Sequence, residues 1–375
     1  MKLASLFSGI GGFELGFHQA GHNTVLMCEI DQAAREVLAA RFPSIKPESD
    51  IRKLKSLPGN VDILTAGFPC QDLSSVGNKE GIWGSRSGLV AEVFRLVERS
   101  KPEWVLIENV YFMLHLDRGR GMQVITTRLE ELGYNWAYRV LDTSGFGLPQ
   151  RRRRVFILAS RNGDPRSVLL TDAGSLEPSE FDPSLPIGFY WTEGAFAAGL
   201  TSNGIPPLKG GSAIGIPSPP AILMPDGFVG TPQIEDAEAL QGFPRNWTEP
   251  AAAIKTSARW KLVGNAVSVP VAKWLAKKLV RGATYNGASD LSLSAFSSWP
   301  EAAWSVGGER RAARVGQHLA KKRRVPLSDV LKGELKPLSA RASAGFLARA
   351  RRGKLNFPGG FLERIEKHLE RITQG

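Results

Sequence analysis

The sequence predicts an α/β protein with a doubly wound, parallel sheet and a second, smaller and irregular domain. Short apolar runs alternate with helical patterns up to about residue 160, which is the rhythm of consecutive βαβ units. A glycine turn, Ser8-Gly9-Ile10-Gly11-Gly12, joins the first apolar run to the first helical pattern. Between residues 162 and 230 the rhythm stops and Pro and Gly become dense, so we expect this region to be rich in loops.

The composition is that of a globular protein with a polyanionic partner. The 375 residues are 42% hydrophobic and 22% charged, with a formal net charge of +12 and a pI near 9.8. Such an excess of positive charge favours nucleic acid as the partner. Segment 285–375 holds 17 Lys and Arg against 8 Asp and Glu, a net charge of +9, which leaves +3 for the first 284 residues.

The same sequence predicts a cytoplasmic protein with no membrane partner. No apolar run approaches the length of a membrane span, and the N-terminal apolar stretch is too short for a signal peptide. The two cysteines, Cys28 and Cys70, make no disulfide framework. Cys28 lies in an apolar run and is expected in the core.

The first strand and the acid after the second strand suit a nucleoside. Residues 3–7 form an apolar strand, the glycine turn follows, and a helix begins near Phe13. This geometry lets a ligand approach backbone N–H groups. Glu29 follows the second strand, residues 24–28, about 20 residues beyond the turn, where an acid bonds ribose hydroxyls. The turn is not Gly-x-Gly-x-x-Gly, which favours an adenosine-bearing cofactor other than a dinucleotide.

The remaining elements continue the alternation. The predicted strands are residues 61–66, 104–107, 134–141 and 155–159, and the predicted helices are residues 32–42, 89–99, 123–132, 235–240, 269–279 and 361–372. Glu29, Cys70 and Glu108 each follow a strand. Because ligands bind at the carboxyl edge of such sheets, Cys70 and Glu108 are expected to face one crevice.

Cys70 and an arginine run have two interpretations each. Cys70 lies between Pro69 and Gln71 in a loop, so it is either a reactive thiol or a small buried apolar residue. Residues 150–154 run into a strand, whose alternation would send Arg152 and Arg154 to the same side. That side is either a solvated face or the crevice, where the arginines would donate to a base or a phosphate.

Over residues 1–160 and 230–284 these motifs resemble the DNA (cytosine-5) methyltransferases of bacterial or phage type, with a C-terminal extension. The matching motifs are Phe7 to Gly12, Pro69-Cys70-Gln71, Glu108-Asn109-Val110, residues 150–154, Gln241-Gly242-Phe243-Pro244 and Gly264-Asn265. One departure is Asp236, which stands where the family usually has Glu. The resemblance implies four segments: a catalytic domain (1–160), a target recognition domain (161–245), a return to the catalytic domain (246–284) and a basic extension (285–375).

The resemblance also implies the site residues. The catalytic residues would be Cys70, Glu108, Arg152 and Arg154. Residues contacting S-adenosyl-L-methionine would be Phe7, Ser8, Gly9, Ile10, Gly11, Gly12, Glu29, Ile30, Asp50, Ile51, Pro69, Leu89, Asn265 and Ala266. DNA would be contacted by Gln71, Ser74 and Arg86, and no metal ion is expected.

The implied reaction transfers a methyl group to carbon 5 of a cytosine flipped out of double-stranded DNA, through a covalent adduct with Cys70. Such an enzyme would be a monomer in a restriction-modification system, with a cognate endonuclease acting on the same site. The alternatives are a tRNA cytosine-5 methyltransferase, a catalytically silent DNA-binding protein and a Rossmann oxidoreductase. The basic extension either contacts phosphates or caps the catalytic domain.

Overall fold

The computed structural model describes residues 1–69, 88–174, 182–210, 218–319 and 324–374. The predictions for Cys70, Gln71, Ser74 and Arg86 fall outside these residues. The chain forms two units. Unit 1 comprises Met1–Phe146, Arg153–Ser175 and Val267–Lys322, and unit 2 comprises Gly147–Arg152, Leu176–Ala266 and Arg323–Gly375.

The described residues form sixteen strands and eleven α-helices. The strands are β1 (Lys2–Leu6), β2 (Asn23–Cys28), β3 (Ile63–Ala66), β4 (Trp104–Val110), β5 (Asn135–Asp142), β6 (Arg153–Ser160), β7 (Ala173–Gly174), β8 (Ile187–Phe189), β9 (Thr201–Ser202), β10 (Ala221–Leu223), β11 (Val229–Thr231), β12 (Leu291–Ser292), β13 (Ala302–Val306), β14 (Glu309–Ala312), β15 (His318–Leu319) and β16 (Lys336–Pro337). The helices are α1 (Gly12–His18), α2 (Gln32–Arg41), α3 (Leu89–Ser100), α4 (Arg120–Glu131), α5 (Pro165–Leu169), α6 (Ile234–Leu240), α7 (Ala258–Asn265), α8 (Val269–Val280), α9 (Leu327–Val330), α10 (Ala340–Arg352) and α11 (Phe361–Gln374). A strand or helix occupies each position predicted from the sequence, with ends shifted by a few residues.

Unit 1 is built on a nine-stranded sheet in the order β12-β14-β13-β5-β6-β4-β3-β1-β2. Strands β2, β1, β3 and β4 are parallel neighbours, whereas every pairing from β4 to β12 is antiparallel. The predicted parallel arrangement holds for β2, β1, β3 and β4, and the antiparallel pairing of β5 and β6 was not predicted. Residues 143–152, between β5 and β6, are too few for the helical crossover that parallel neighbours need, so β6 returns antiparallel.

Helices cover both faces of this sheet, as expected for a doubly wound fold. On one face α3 and α4 bury Val93, Phe94 and Ile125 against the strands. On the other face α1 and α8 bury Phe17 and Leu275. The predicted α/β class is thus confirmed, and the sheet of unit 1 is buried on both faces.

Unit 2 contains a five-stranded antiparallel sheet in the order β16-β11-β10-β8-β9. Its core joins Phe189 of β8 to Phe346 of α10 and Phe361 of α11. All three aromatic side chains are fully buried. The two C-terminal helices therefore complete the core of this small sheet.

The segment from residue 285 onward does not form one extension. Strand β13 pairs with β5, so that β12, β13 and β14 extend the large sheet of unit 1. Strand β16 and helices α9 to α11 belong to unit 2. The expected segment 161–245 is divided as well, because α5 lies in unit 1. This division has a physical reason. The apolar side chains of β13 are buried in the core of the large sheet, and those of α11 are buried in the core of the small sheet.

Candidate active site

The ends of β3 and β4 bring the chain before Cys70 next to Glu108. These strands are parallel, with Ala66 opposite Ile107. A Cβ atom placed on Gly67 would lie 3.4 Å from Oε2 of Glu108. Gly67 therefore lies beside the Glu108 carboxylate where the chain leaves β3. Whether Cys70 faces the same crevice stays a prediction.

Asn109 secures this part of the chain. Its side-chain Nδ2 donates to the Phe68 carbonyl at 3.0 Å, and its Oδ1 accepts from the Val110 N–H at 2.9 Å. Asn109 and Phe68 are both buried. Both ends of the amide thus have a partner, and the backbone two residues before Cys70 is tied to β4. Sequence analysis gave Asn109 no separate role. The available signal was a polar residue just after the predicted strand, residues 104–107.

Glu108 forms an ion pair with Arg154. The distance between Oε1 of Glu108 and Nε of Arg154 is 3.1 Å, and their side chains are 12% and 18% exposed. Antiparallel pairing of β4 and β6 sets Val110 opposite Arg154 and Glu108 opposite Phe156. Glu108 and Arg154 are therefore diagonal neighbours on one face of the sheet. A carboxylate held in this way can accept hydrogen bonds from a base and stabilise a protonated ring.

Arg152 lies in unit 2 and contacts backbone. Its Nη1 donates to the Leu208 carbonyl at 2.9 Å, and its Nη2 donates to the Ala266 carbonyl at 3.0 Å. The side chain is 2% exposed. These contacts are typical of an arginine that holds backbone in place, so its catalytic role stays a prediction.

The glycine turn leaves space for a ligand beside Glu29. Gly9 and Gly11 have φ values of +55° and +87°, which glycine adopts without steric cost. A Cβ on Gly9 would meet no atom within 4 Å, whereas one on Gly11 would lie 2.6 Å from Phe42. The Glu29 carboxylate accepts the Gly9 N–H and the Asp31 N–H, each at 2.8 Å. Each oxygen keeps a lone pair for a further donor such as a ribose hydroxyl.

Apolar residues lie at the same strand ends. Ile30 is 66% exposed directly after Glu29. Phe7 is half-buried and meets Phe68 edge to face, with ring centroids 6.3 Å apart. Ile10 is fully buried. Ser8 and Gly12 are buried too, and Pro69 is exposed.

The remaining predicted cofactor residues of unit 1 are Asp50, Ile51 and Leu89. Ile51 is buried in the same hydrophobic core as Phe68, and Leu89 at the start of α3 packs against that core. The Asp50 carboxylate accepts the Arg52 N–H at 3.0 Å and forms an ion pair with the Arg52 guanidinium at 2.9 Å. These hydrogen bonds from Arg52 lower the pKa of Asp50.

Asn265 and Ala266 lie in unit 2 at the end of α7. Asn265 is exposed, and the Ala266 carbonyl accepts from Arg152 and, at 2.8 Å, from Nε2 of Gln241. Gln150 donates to Oε1 of Gln241 at 2.7 Å. Residues of three predicted motifs thus meet in one buried hydrogen-bond network within this unit.

Glu14 was not singled out from the sequence. It follows the glycine turn on α1 and is fully buried. Among the described residues, neither carboxylate oxygen has a partner within hydrogen-bond geometry. Burial raises the pKa of Glu14 to about 7, although the nearby hydroxyls of Ser5 and Ser8 act in the opposite direction. From the sequence, an acid in an amphipathic helix is expected at the surface. Only the structure shows that Glu14 is buried.

The described residues contain no cluster of His, Cys, Asp and Glu able to hold a metal ion. No helix among them has the length and apolarity to cross a membrane.

Comparison with known proteins shows the family of this chain. A family model, C-5 cytosine-specific DNA methylase, matches residues 1–184. The sequence is 47% identical over 391 aligned residues to the type II methyltransferase M2.BsuMI of Bacillus subtilis strain 168, and the alignment covers all of both proteins. It is 30% identical over 319 residues to the type II methyltransferase M.Bsp6I of Bacillus sp. strain RFL6, covering 75% of this chain and 99% of that protein.

Two solved structures share the fold. They are the Dnmt2 methyltransferase of S. pombe, with 17% identity, and the methyltransferase EhMeth of Entamoeba histolytica, with 16% identity. Each has a TM-score of 0.53 and covers 75% of this chain and 98% of its own. The full-length relative establishes the family, and the solved structures agree with its α/β fold. The chain therefore belongs to the C-5 cytosine-specific DNA methylase family.

Proposed function

We propose that this chain methylates carbon 5 of a cytosine within a specific double-stranded DNA sequence. The observation that carries the proposal is the Glu108–Arg154 ion pair beside the chain that leads into Cys70. A thiol and a buried carboxylate at one sheet edge are the groups that this reaction needs. Full-length similarity to a type II methyltransferase supports a restriction-modification system, with a cognate endonuclease acting on the same site.

The residues at the carboxyl ends of β1 and β2 fit S-adenosyl-L-methionine. Glu29 has remaining acceptor capacity for ribose hydroxyls, Gly9 faces open space, and Ile30 and Phe7 offer apolar surface to the adenine. Asp50, Ile51 and Leu89 would complete the adenine contacts. When bound, this cofactor supplies an electrophilic methyl group on a sulfonium.

Cys70 and Glu108 would activate the cytosine together, Cys70 as the nucleophile and Glu108 as the group that hydrogen-bonds the ring. The Cys70 thiolate adds to carbon 6, which increases the electron density at carbon 5. Glu108 bonds ring nitrogen 3 and the exocyclic amine, and stabilises the protonated ring as the sulfur–carbon bond forms. After methylation, loss of the carbon-5 proton to a base such as water expels Cys70.

Arg154 would orient Glu108 and add positive charge at this edge. Nearby positive charge favours the thiolate form of a cysteine, which is the nucleophile. The target carbon is inaccessible inside a duplex, so the cytosine has to be flipped out. We propose that residues 161–245 read the flanking bases, that Gln71, Ser74 and Arg86 contact DNA, and that the protein acts as a cytoplasmic monomer.

Methyl transfer from tritiated S-adenosyl-L-methionine tests the proposal. Wild-type protein is expected to label duplex DNA and not tRNA. Cys70→Ser is expected to bind both DNA and cofactor while losing turnover, and Glu108→Gln is expected to lose turnover with the cysteine intact. Bisulfite sequencing of DNA from an expressing host then gives the methylated sequence. Labelling of tRNA alone, or activity of Cys70→Ser above a few per cent of wild type, would refute the proposal.

A further inference from the structure

Phe196 is the most exposed large apolar side chain of the described residues. It is 93% exposed and lies in unit 2 between β8 and β9. The Gly194 N–H donates to the Ala197 carbonyl at 3.0 Å, so Phe196 projects from a closed turn. Exposing a phenyl ring this fully forgoes the free energy of burying it. A ring at the tip of a tight turn is the arrangement expected of a contact residue.

The turn rests on the end of α10. Nε of Arg349 donates to the Glu193 carbonyl at 3.1 Å, and its Nη2 donates to the Trp191 carbonyl at 2.7 Å. A Cβ atom on Gly353 would lie 2.5 Å from the carbonyl oxygen of Ala195, so only glycine permits this approach. The backbone on both sides of Phe196 is therefore held by the C-terminal segment.

The surface beside the turn is basic. Gly353, which touches the turn at Ala195, is flanked by Arg352 and Lys354, and both side chains are exposed. Neither has a carboxylate within 4.0 Å among the described residues, where Arg351 is paired with Glu366. The acid nearest in sequence to the turn, Glu193, is paired with Lys209. The turn thus combines an exposed ring with uncompensated positive charge.

We propose that Phe196 stacks on or between bases of the duplex DNA that this enzyme modifies, while Arg352 and Lys354 contact the adjacent phosphates. The inference rests on the proposed function and adds a DNA-contact surface to it. An aromatic ring accepts any base on its π face, and apolar side chains inserted at base steps accompany DNA distortion. Duplex DNA presents negative phosphates next to base π faces, so it is the occupant that fits both features.

DNA binding by the full chain tests the proposal, using a duplex that carries the sequence found by bisulfite sequencing. Phe196→Ala is expected to weaken binding about tenfold, the order of one lost base-stacking contact. Phe196→Trp is expected to bind as wild type does. Phe296→Ala, which removes an exposed ring in unit 1, is the matched control and should change nothing.

The salt dependence of binding tests the two cations. The double variant Arg352→Gln/Lys354→Gln should reduce the slope of log Kd against log salt by about 0.9 for each lost phosphate contact. Phe196→Ala should leave the slope unchanged. Lys277→Gln/Arg281→Gln removes two exposed cations of unit 1 and is the matched control.

The outcomes separate this inference from the proposed function. If wild-type protein methylates no DNA, the proposed function fails and the inference falls with it. If wild type is active while Phe196→Ala binds and methylates as wild type does, the inference alone is overturned. Equal losses in Phe196→Ala and Phe196→Trp would overturn stacking, and a change in oligomeric state with unchanged DNA binding would assign the ring to a protein contact. Thermal melting and binding of S-adenosyl-L-methionine verify that each variant is folded.

Discussion

Nε of Arg154 lies 3.1 Å from Oε1 of Glu108, across the antiparallel pair formed by β6 and β4. Both side chains are largely buried, and each is anchored in a strand of the same sheet. A buried pair of this kind adds little net stability, because desolvation offsets the attraction between the charges. Its value lies in preorganisation, since the carboxylate is oriented before a base arrives.

Replacing Arg154 with Met is expected to lower kcat about 100-fold, the size expected from removing one donor that stabilises the transition state. The Kd for S-adenosyl-L-methionine should change little, because Arg154 contacts Glu108 and is not among the predicted cofactor residues. Arg153→Met is the matched control. The Arg153 guanidinium stacks on Tyr111, with its carbon 3.9 Å from the ring centroid. Steady-state methyl transfer measures both variants, and equal activities would contradict the role of Arg154.

Asn109→Ala should impair both stability and turnover. It removes the bond to the Phe68 carbonyl and leaves that buried oxygen without its partner, which costs about 1–3 kcal/mol. The displaced chain before Cys70 should lower kcat by about 10- to 100-fold, because small misplacements of reacting groups are costly. Asn162→Ala, which removes the side-chain hydrogen bond to Glu103 elsewhere in unit 1, is the control. Denaturant unfolding and kcat are the measurements, and a stability loss with normal kcat would leave Asn109 a purely structural residue.

Glu14 should make the protein less stable as pH rises. Its pKa is 4.5 without burial and about 7 in the folded protein, so between these values the folded state binds more protons than the unfolded state. Stability therefore falls with pH across this window, by about 3 kcal/mol in total. Glu14→Gln keeps the shape without the charge and should remove this decline.

The measurement is the free energy of unfolding of wild type minus that of Glu14→Gln, taken from pH 4.5 to above pH 7. Taking the difference cancels the other titrating groups. Glu98→Gln, at a side chain that is 57% exposed, is the matched control. A difference that stays constant with pH would contradict the buried, mostly neutral state of Glu14 at the acid end of this range.

Phe346→Ala should destabilise unit 2 by about 3–5 kcal/mol, the usual cost of removing a fully buried ring. Phe346 contacts Phe189 with ring centroids 5.0 Å apart, and so joins α10 to the small sheet. Deletion after residue 285 should be worse still, because it also removes β13 from the large sheet. Point substitutions therefore test the DNA contacts of this segment better than truncation does. A Phe346→Ala protein that melts like wild type would show that α10 is dispensable.

Several features of the site follow from local pattern. Apolar runs bounded by Gly and Pro predict β1 to β6, and parallel strands collect the residues after β1, β2, β3 and β4 at one edge. Roles for Glu29, Glu108 and the glycine turn were predicted in this way. In the structure the Glu29 carboxylate accepts the Gly9 N–H, and the Glu108 carboxylate lies beside Gly67. The same rules of alternation treated Arg152 and Arg154 as equivalent, although they lie in different units.

The sequence by itself determined strands β1 to β6 and helices α1 to α4, α6, α8 and α11, the positive charge, and the residue types available for the chemistry. These depend on composition and on spacing of two or about 3.6 residues. Only the tertiary structure decided the direction of β6, and with it the pairing of Arg154 with Glu108. It also decided the burial of Glu14 and the division of the basic C-terminal segment between two sheets. These features depend on contacts between residues far apart in the chain, and no local pattern encodes which distant surface will bury a given side chain.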